Sequence, residues 1–419
     1  MSTQRRAPLW RRPFPEPPAG LRRGPFAPGA IRPAGRSAAL SARLGLWLGA
    51  AFGICLVTGL ISHGIQHPPS WFLWPTRPVS LYRVTQGLHV ATGLATVPLL
   101  LAKLWAVYPT LFRWPPARDA ADLLARCALL VLVAGAVFEL VSGVLNTARQ
   151  YAVMGFGFPA AHYWTAWITT GALVIHIGAQ AAVVRRVLRE SRRRTSGPPD
   201  DSAADRTAEN PGRAGNDAPA DPVTTRRAVL ATVAAAAGAV TLATVGQTVR
   251  PLSGLSVLAP RRPGLGPQGL PVNRSAAGAG VLATATRDDY RLVVAGTRTL
   301  RLGLDALAAL PQHTADLPIA CVEGWSASAR WTGVRLRDLL AEAGVAPGAD
   351  VRIESLQRSG AYRAATLPAA FAQDPLTLLA LRLNGGTLHL DHGYPCRLIA
   401  PNRPGVLQTK WVAWIGAHR

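Results

Sequence analysis

Five apolar runs constrain this chain more than any other feature. Crossing the hydrocarbon of a bilayer takes about 20 helical residues. Runs of roughly that length extend from Arg43 to Gly64, Leu81 to Tyr108, Asp122 to Asn146 and His162 to Leu188, and an Ala-rich, weaker one from Ala228 to Val249. Backbone polar groups in lipid must be satisfied within the segment, so each run is predicted to be a helix. A hydrophobic content of 49% agrees with a large membrane part.

The net charge of +23 could signal a nucleic-acid partner, but the arginines are not spread over a face. They form two blocks, Arg5 to Arg43 and Arg185 to Arg227, each abutting an apolar run. Cationic segments placed this way orient membrane helices, so no nucleic-acid partner is expected. Residues 1–42 are rich in Pro, Gly and Arg without apolar period and read as a disordered basic cytoplasmic tail. Residues 189–225 read as a cytoplasmic linker, and Arg113 and Arg118 put a third basic loop on the same side. The loops at 65–80 and 147–161 are poorer in charge. The expectation is a multi-pass cell-membrane protein in contact with lipid, with a cytoplasmic N-terminus and with residues 250–419 on the outer side. The fifth span, 226–249, opens on Thr-Thr-Arg-Arg-Ala-Val-Leu, which resembles a twin-arginine export signal placed internally. A stop-transfer charge pair accounts for Arg226 and Arg227 equally well.

After a Gly/Pro-rich connector at 250–280, the pattern from 281 to 419 becomes that of a soluble domain. Its apolar runs are short, as in RLVVAG and VRIES, with one helix-like stretch from Leu336 to Ala343, so a mixed α/β (α+β) domain is predicted. The four cysteines are scattered, and no CxxC or CxxCH spacing offers zinc, iron-sulfur or c-type haem.

The segment PIACVEGWSASARWTGVRLRDLL, Pro318 to Leu340, resembles the molybdopterin-binding core of the sulfite oxidase family. Its CVEGWS is closest to the bacterial methionine sulfoxide reductase branch. The resemblance implies that Cys321 is the thiolate ligand of molybdenum, a soft ligand for a high-valent metal and the catalytic centre of the domain. A second stretch, LRLNGGTLHLDHGYPCRLIAPNRPGVLQTKWVAWI, resembles the family's C-terminal signature and implies that His392, Arg397 and Lys410 hold the pterin and its phosphate. Phosphate needs fixed cations, and lysine occurs only at 103 and 410. Cys396 falls in a slot the family fills with an apolar residue. LPVNRSA, Leu270 to Ala276, corresponds to the family's cofactor and substrate strand, which would bring Asn273 and Arg274 near the metal. Sulfite oxidases use an arginine in that strand to bind the anion, and they carry an active-site tyrosine and a dimerisation domain beyond the KW pair. Here the order is Asn then Arg and the sequence runs to Arg419, so a substrate other than sulfite is expected. Glu323 is a candidate proton donor, or a solvated carboxylate.

Histidines in or at the ends of spans are functional candidates, because an unpaired ring in lipid is costly. They are His63, His89, His162 and His176. His162 and His176 share a helix face, separated by roughly 21 Å at 1.5 Å per residue. HYWTAWITTGALVIH and TQGLHVATGL resemble the fourth and second spans of bacterial membrane cytochrome b subunits such as those of formate dehydrogenases. The resemblance implies that His89 and His162 ligate an outer haem b, with His176 as the alternative partner of His89. The first span starts SARLGLWLG, without the histidine of the family's inner haem, so that haem is expected to be lost. The other reading is interhelical histidines without iron. His63 and His67 are expected in an outer loop, and Glu139 on a proton path or bonded to a neighbouring helix.

The sequence is thus read as a multi-domain chain: a four-helix cytochrome b-like membrane domain (43–188), a fifth span, and a sulfite oxidase-like molybdopterin-binding domain. Electrons would pass between the quinone pool, haem b and an extracytoplasmic substrate such as an S- or N-oxide. Two other readings are a sulfite-type oxidase passing electrons to the membrane, and a cofactor-free membrane scaffold or binding module.

Overall fold

The computed structural model describes residues 37–111, 117, 119–196 and 222–418. The basic tail through residue 36, Arg113, Arg118 and the linker stretch 197–221 lie outside the described residues. Five helices are long and apolar enough to cross a membrane: α1 (Ala38–Gln66), α2 (Leu81–Leu111), α3 (Ala120–Ala148), α4 (Phe158–Ser196) and α5 (Pro222–Val245). Their ends follow local chemistry. Helix α4 outruns its apolar stretch because VVRRVLRE supplies strong helix formers such as Leu, Arg and Glu. Proline is tolerated as the first residue of α5, where an amide would lack a partner anyway. His63 lies inside α1 rather than in the expected loop. The helix stops at Gln66 because His67 is followed by two prolines, which remove amide donors and push the preceding residue out of the helical region.

The chain divides into two compact units. The first comprises residues up to Gly53, Gly93–Asn146 and Gln150–Val240, and its described residues are helical segments and their connections. Within it Leu40, Leu44, Leu99, Leu230 and Val233 form a buried cluster. Leu46, Leu130 and Ile168 remain exposed, as lipid-facing positions would be. Lys103 satisfies its ammonium on the carbonyl and hydroxyl of Ser41, both at 2.8 Å.

The second unit comprises Ile54–Thr92, Thr147–Arg149 and Thr241–Arg419. Its core is two sheets, one mixed and one antiparallel. One orders β2 (Leu300–Leu302), β1 (Leu292–Ala295), β10 (Val412–Ala417), β5 (Val351–Ser355) and β6 (Ala364–Leu367), with β1 and β10 parallel. The other orders β3 (His313–Ala320), β4 (Ser326–Arg335), β7 (Leu378–Leu383) and β8 (Gly386–Thr387), with β9 (Arg397–Ile399) on β7. Alternating inward residues such as Val351, Ile353, Leu379 and Ile415 fill the core, joined by Leu336, Leu339 and Leu340 of the short helix α6 (Leu336–Glu342). Two sequence expectations differ from what is observed. The stretch 250–280, expected as a linker, packs into the domain with Leu270 and Ala276 buried. LPVNRSA forms turns rather than a strand, since Pro271 lacks an amide donor and the Ser275–Gly280 run closes on itself through Ala279 and Gly280 amide bonds.

Candidate active site

Cys321 sits at the tip of the β3–β4 hairpin, whose last pair is Ala320 with Ser326. The five-residue tip closes on itself: the Cys321 amide donates to Trp325 O at 2.8 Å and the Gly324 amide to Cys321 O at 3.0 Å. Gly324 has φ +94°, and a Cβ there would meet Val90 Cγ2 at 2.5 Å, so only glycine fits. The Cys321 thiol is buried and its pKa is pushed up to about 12 by that burial and by the nearby Glu323 carboxylate, against a smaller pull from Asn273 and Arg149. Without a metal it would stay protonated; coordination would remove the proton outright.

Asn273 reaches this tip from the packed segment before the domain. Its Nδ2 donates to Cys321 Sγ at 2.9 Å and to Glu323 Oε2 at 2.7 Å, while Trp325 Nε1 donates to its Oδ1 at 3.1 Å. Glu323 is not solvated: it is buried and ion-paired with Arg149 Nε at 3.2 Å.

The cationic side of the site comes from the Leu390–Thr409 region. A short 3-10 turn, Leu390–His392, ends at Gly393 with φ +115°, which brings Arg397 and Lys410 side by side. Arg397 is buried over the Trp331 ring, and its Nε has no hydrogen-bond partner among the described residues. Burial holds its guanidinium down at about 9. Lys410 donates to Arg274 O at 2.6 Å and Asp391 O at 2.8 Å; burial, then the neighbouring Arg397, bring its ammonium down to about 7. His392 bonds Pro267 O through Nε2 at 2.7 Å, and burial lowers its pKa to about 4.

All six residues singled out by motif in this domain, Asn273, Arg274, Cys321, His392, Arg397 and Lys410, line one cleft of about 180 Å³. Sequence reasoning missed three neighbours. Trp325 anchors Asn273, Tyr362 lines the cleft with its hydroxyl on Gln66 Oε1 at 3.2 Å, and Arg149 meets Glu323. The W of CVEGW was a signal for the first; nothing near Tyr362 or Arg149 in the sequence marks the others.

Within the same unit the Cys321 loop rests on helix ends. Gln86 of α2 donates to Val322 O at 2.6 Å, the Thr248 hydroxyl donates to Gly324 O, and the Ser326 amide donates to Gln247 O at 2.8 Å. Asn402 clamps the α1–α2 connection, accepting from Trp74 Nε1 at 2.8 Å and the Tyr82 amide at 2.7 Å and donating to Pro75 O at 2.7 Å. Arg77 pairs with Asp374 at 2.9 Å.

His89 has Nδ1 3.0 Å from Cys55 O and 3.2 Å from Thr58 Oγ1. His162 has Nδ1 2.8 Å from Ser142 Oγ and 3.0 Å from Glu139 Oε2, so Glu139 bonds α4. Nδ1 held by a carbonyl or carboxylate is the arrangement that orients a metal-bound imidazole.

Residues 279–419 match the family model described as the oxidoreductase molybdopterin binding domain. The chain carries a molybdopterin-binding oxidoreductase domain. Mitochondrial sulfite oxidase of Rattus norvegicus is 34% identical over 158 residues, 31% of this chain and 28% of that enzyme. The provisionally assigned protein-methionine-sulfoxide reductase subunit YedZ1 of Azospira oryzae is 33% identical over 109 residues, 26% of this chain and 40% of its own. The crystal structure of sulfane dehydrogenase SoxCD from Paracoccus pantotrophus is 28% identical, covering 37% of this chain and 43% of that one with a TM-score of 0.33, too low to bear on the fold. The chain thus spans well under half of the relatives it matches. The site fits the cofactor: the cleft offers a buried thiol, the soft ligand the metal needs. It also offers buried Arg397, whose Nε is orphaned, and half-buried Lys410, both with depressed pKa values, which call for an anion such as a phosphate.

Proposed function

We propose that the chain is a membrane-anchored molybdopterin-dependent oxidoreductase that exchanges electrons between the quinone pool, a haem b and an extracytoplasmic S- or N-oxide. The observation carrying the reading is the convergence of Cys321, Asn273, His392, Arg397 and Lys410 on one cleft. Bound there, the cofactor supplies two-electron oxygen-atom transfer at molybdenum. The chain's residues do the rest. Cys321 ligates the metal, with its sulfur held by the Asn273 amide, which Trp325 fixes in turn. Arg397 and Lys410, with His392 and Arg274, seat the pterin and its phosphate, and the buried walls keep bulk water from these charges. In the helices, His89 with His162 or His176 would hold the haem, which carries single electrons. A membrane location is supported by the five helices among the described residues that are long and apolar enough to cross one; the N-terminus inside and the molybdenum domain outside are read from the arginine asymmetry, with Arg226 and Arg227 as an export signal.

Arg274, which lines the same cleft as Arg397, favours a second reading, a sulfite-type oxidase binding an oxyanion there. Purified protein should contain molybdenum and a haem b spectrum, and dithionite-reduced haem should be reoxidised by methyl sulfoxides. Sulfite-driven haem reduction with no sulfoxide response would establish the second reading instead. Absence of both cofactors would leave the scaffold reading.

A further inference from the structure

We infer that Arg149, at the end of the third membrane helix, is a positioning residue of the molybdenum site that acts through Glu323; the inference rests on Cys321 being the metal ligand. Helix α3 closes with the Gln150 amide donating to Leu145 O at 2.9 Å, a C-terminal turn whose left-handed position is usually glycine. Here that position is Arg149, with φ 58°. A non-glycine side chain in this conformation is strained, and such strain persists where the surroundings over-determine it, commonly at functional sites.

The side chain shows what the turn achieves. Arg149 Nε lies 3.2 Å from Glu323 Oε1. Glu323 is buried, two residues from Cys321, and its Oε2 accepts from the same Asn273 Nδ2 that lies 2.9 Å from Cys321 Sγ. One ion pair, in which Arg149 Nε is close to the carboxylate without hydrogen-bond alignment, and the two Asn273 hydrogen bonds therefore link the end of a membrane helix to the sulfur. A buried carboxylate needs a partner, and without one it would place uncompensated negative charge beside an anionic metal ligand. Arg149 neutralises that charge beside the Asn273 amide that bridges carboxylate and sulfur. Groups that hold a metal ligand in place orient it and tune the metal, and their loss costs roughly 10- to 100-fold in activity or affinity. The molybdenum site is thus complete only with a residue contributed from outside its own domain.

The test uses the full-length holoenzyme and reads molybdenum content, the Mo(V) paramagnetic signal, its midpoint potential and turnover. In Arg149→Ala the exposed carboxylate charge should move the potential to more negative values and alter the Mo(V) signal, with turnover falling roughly 10- to 100-fold. Arg149→Lys, which keeps the charge, should hold the potential near the parent's. Adding Glu323→Gln to Arg149→Ala removes the uncompensated charge and should bring the potential back. If Arg149→Ala instead loses molybdenum, the added Glu323→Gln must restore loading. An unchanged potential and Mo(V) signal in Arg149→Ala, or a defect that Glu323→Gln leaves in place, overturns the inference. A parent protein without molybdenum, or a Cys321→Ser variant with the parent's Mo(V) signal, would instead sink the reading beneath it.

Discussion

Replacing Gly393 by alanine tests how the two buried cations are brought together. Gly393 has φ +115°, in the left-handed region that L-residues rarely adopt, which would cost an alanine about 1–2 kcal/mol. The added Cβ would also lie 3.1 Å from the Cβ atoms of Arg397 and Lys410 and 3.2 Å from Lys410 Cα. These are atoms at the root of each side chain, so they cannot swing aside; the two segments must separate by a few tenths of an ångström. Overpacking of this kind costs about 1–3 kcal/mol. The sum, about 2–5 kcal/mol, is a large part of the 5–15 kcal/mol typical of a domain and corresponds to a fall in melting temperature of about 5–15 °C. Gly385, at φ +86° with nothing within 4 Å of its Cβ, is the matched control for strain alone. Melting curves and molybdenum content of the two alanine variants separate the terms: Gly393→Ala should lose more stability and much of its molybdenum, Gly385→Ala little of either. Equal melting temperatures and equal molybdenum in both would refute the claim that Gly393 sets the spacing of Arg397 and Lys410.

Cys321→Ser should abolish turnover in a folded, inserted protein, whereas Cys396→Ser, at a fully buried core position bonded to Tyr290 at 3.1 Å, should keep activity and lose about 1 kcal/mol of stability; equal losses of activity would require withdrawing Cys321 as the ligand. His89→Ala should remove the haem b spectrum, and the spectra of His162→Ala and His176→Ala then identify the partner; undiminished haem in His89→Ala excludes both pairings. Lys410 titrates near 7 in the fold against 10.5 when unperturbed, so the unfolded chain holds more protons between those values and cofactor-free protein should gain stability as pH rises from 7 towards 10. Pyrophosphate in the cleft should raise that pKa and flatten the rise, and melting curves with the same slope in Lys410→Met would remove Lys410 as its source.

What was legible in the sequence was whatever its chemistry packs into a short contiguous stretch. The apolar runs announced the five helices because lipid leaves a backbone no alternative. CVEGW pointed to the Cys321 hairpin tip because that tip holds a buried cysteine, a tight-turn glycine and an anchoring tryptophan within five residues. DHGYPCR and the KW pair announced the cations because one glycine turn sets them side by side. What stayed hidden depends on packing between distant segments. Gly and Pro in residues 250–280 signal the absence of regular structure, but not whether irregular chain is loose or buried, and here Leu270 and Ala276 are buried. Glu323 read as solvated since nothing local showed Arg149 arriving to pair with it. Tyr362 enters the cleft from between β5 and β6, far from either signature.

These long-range contacts also bear on how electrons would reach the metal. The Cys321 loop is bonded through its backbone carbonyls, to Gln86 at Val322 and to Thr248 at Gly324, and a Cβ at Gly324 would collide with Val90. Asn402 adds three bonds to the α1–α2 connection, each between groups whose separation would leave a buried donor or acceptor unsatisfied at about 1–3 kcal/mol. Swinging this domain away from the helix ends would break all of them together, a cost comparable with the stability of a whole domain. Gln86 precedes His89 on α2 by three residues, a rise of about 4.5 Å. On the proposed reading, then, electrons need no domain excursion between haem and molybdenum. The covalent and hydrogen-bonded path from His89 through Gln86 to Val322 ends one residue from the sulfur, and the exposed Arg274 and Tyr362 in the cleft lining leave substrate a way in.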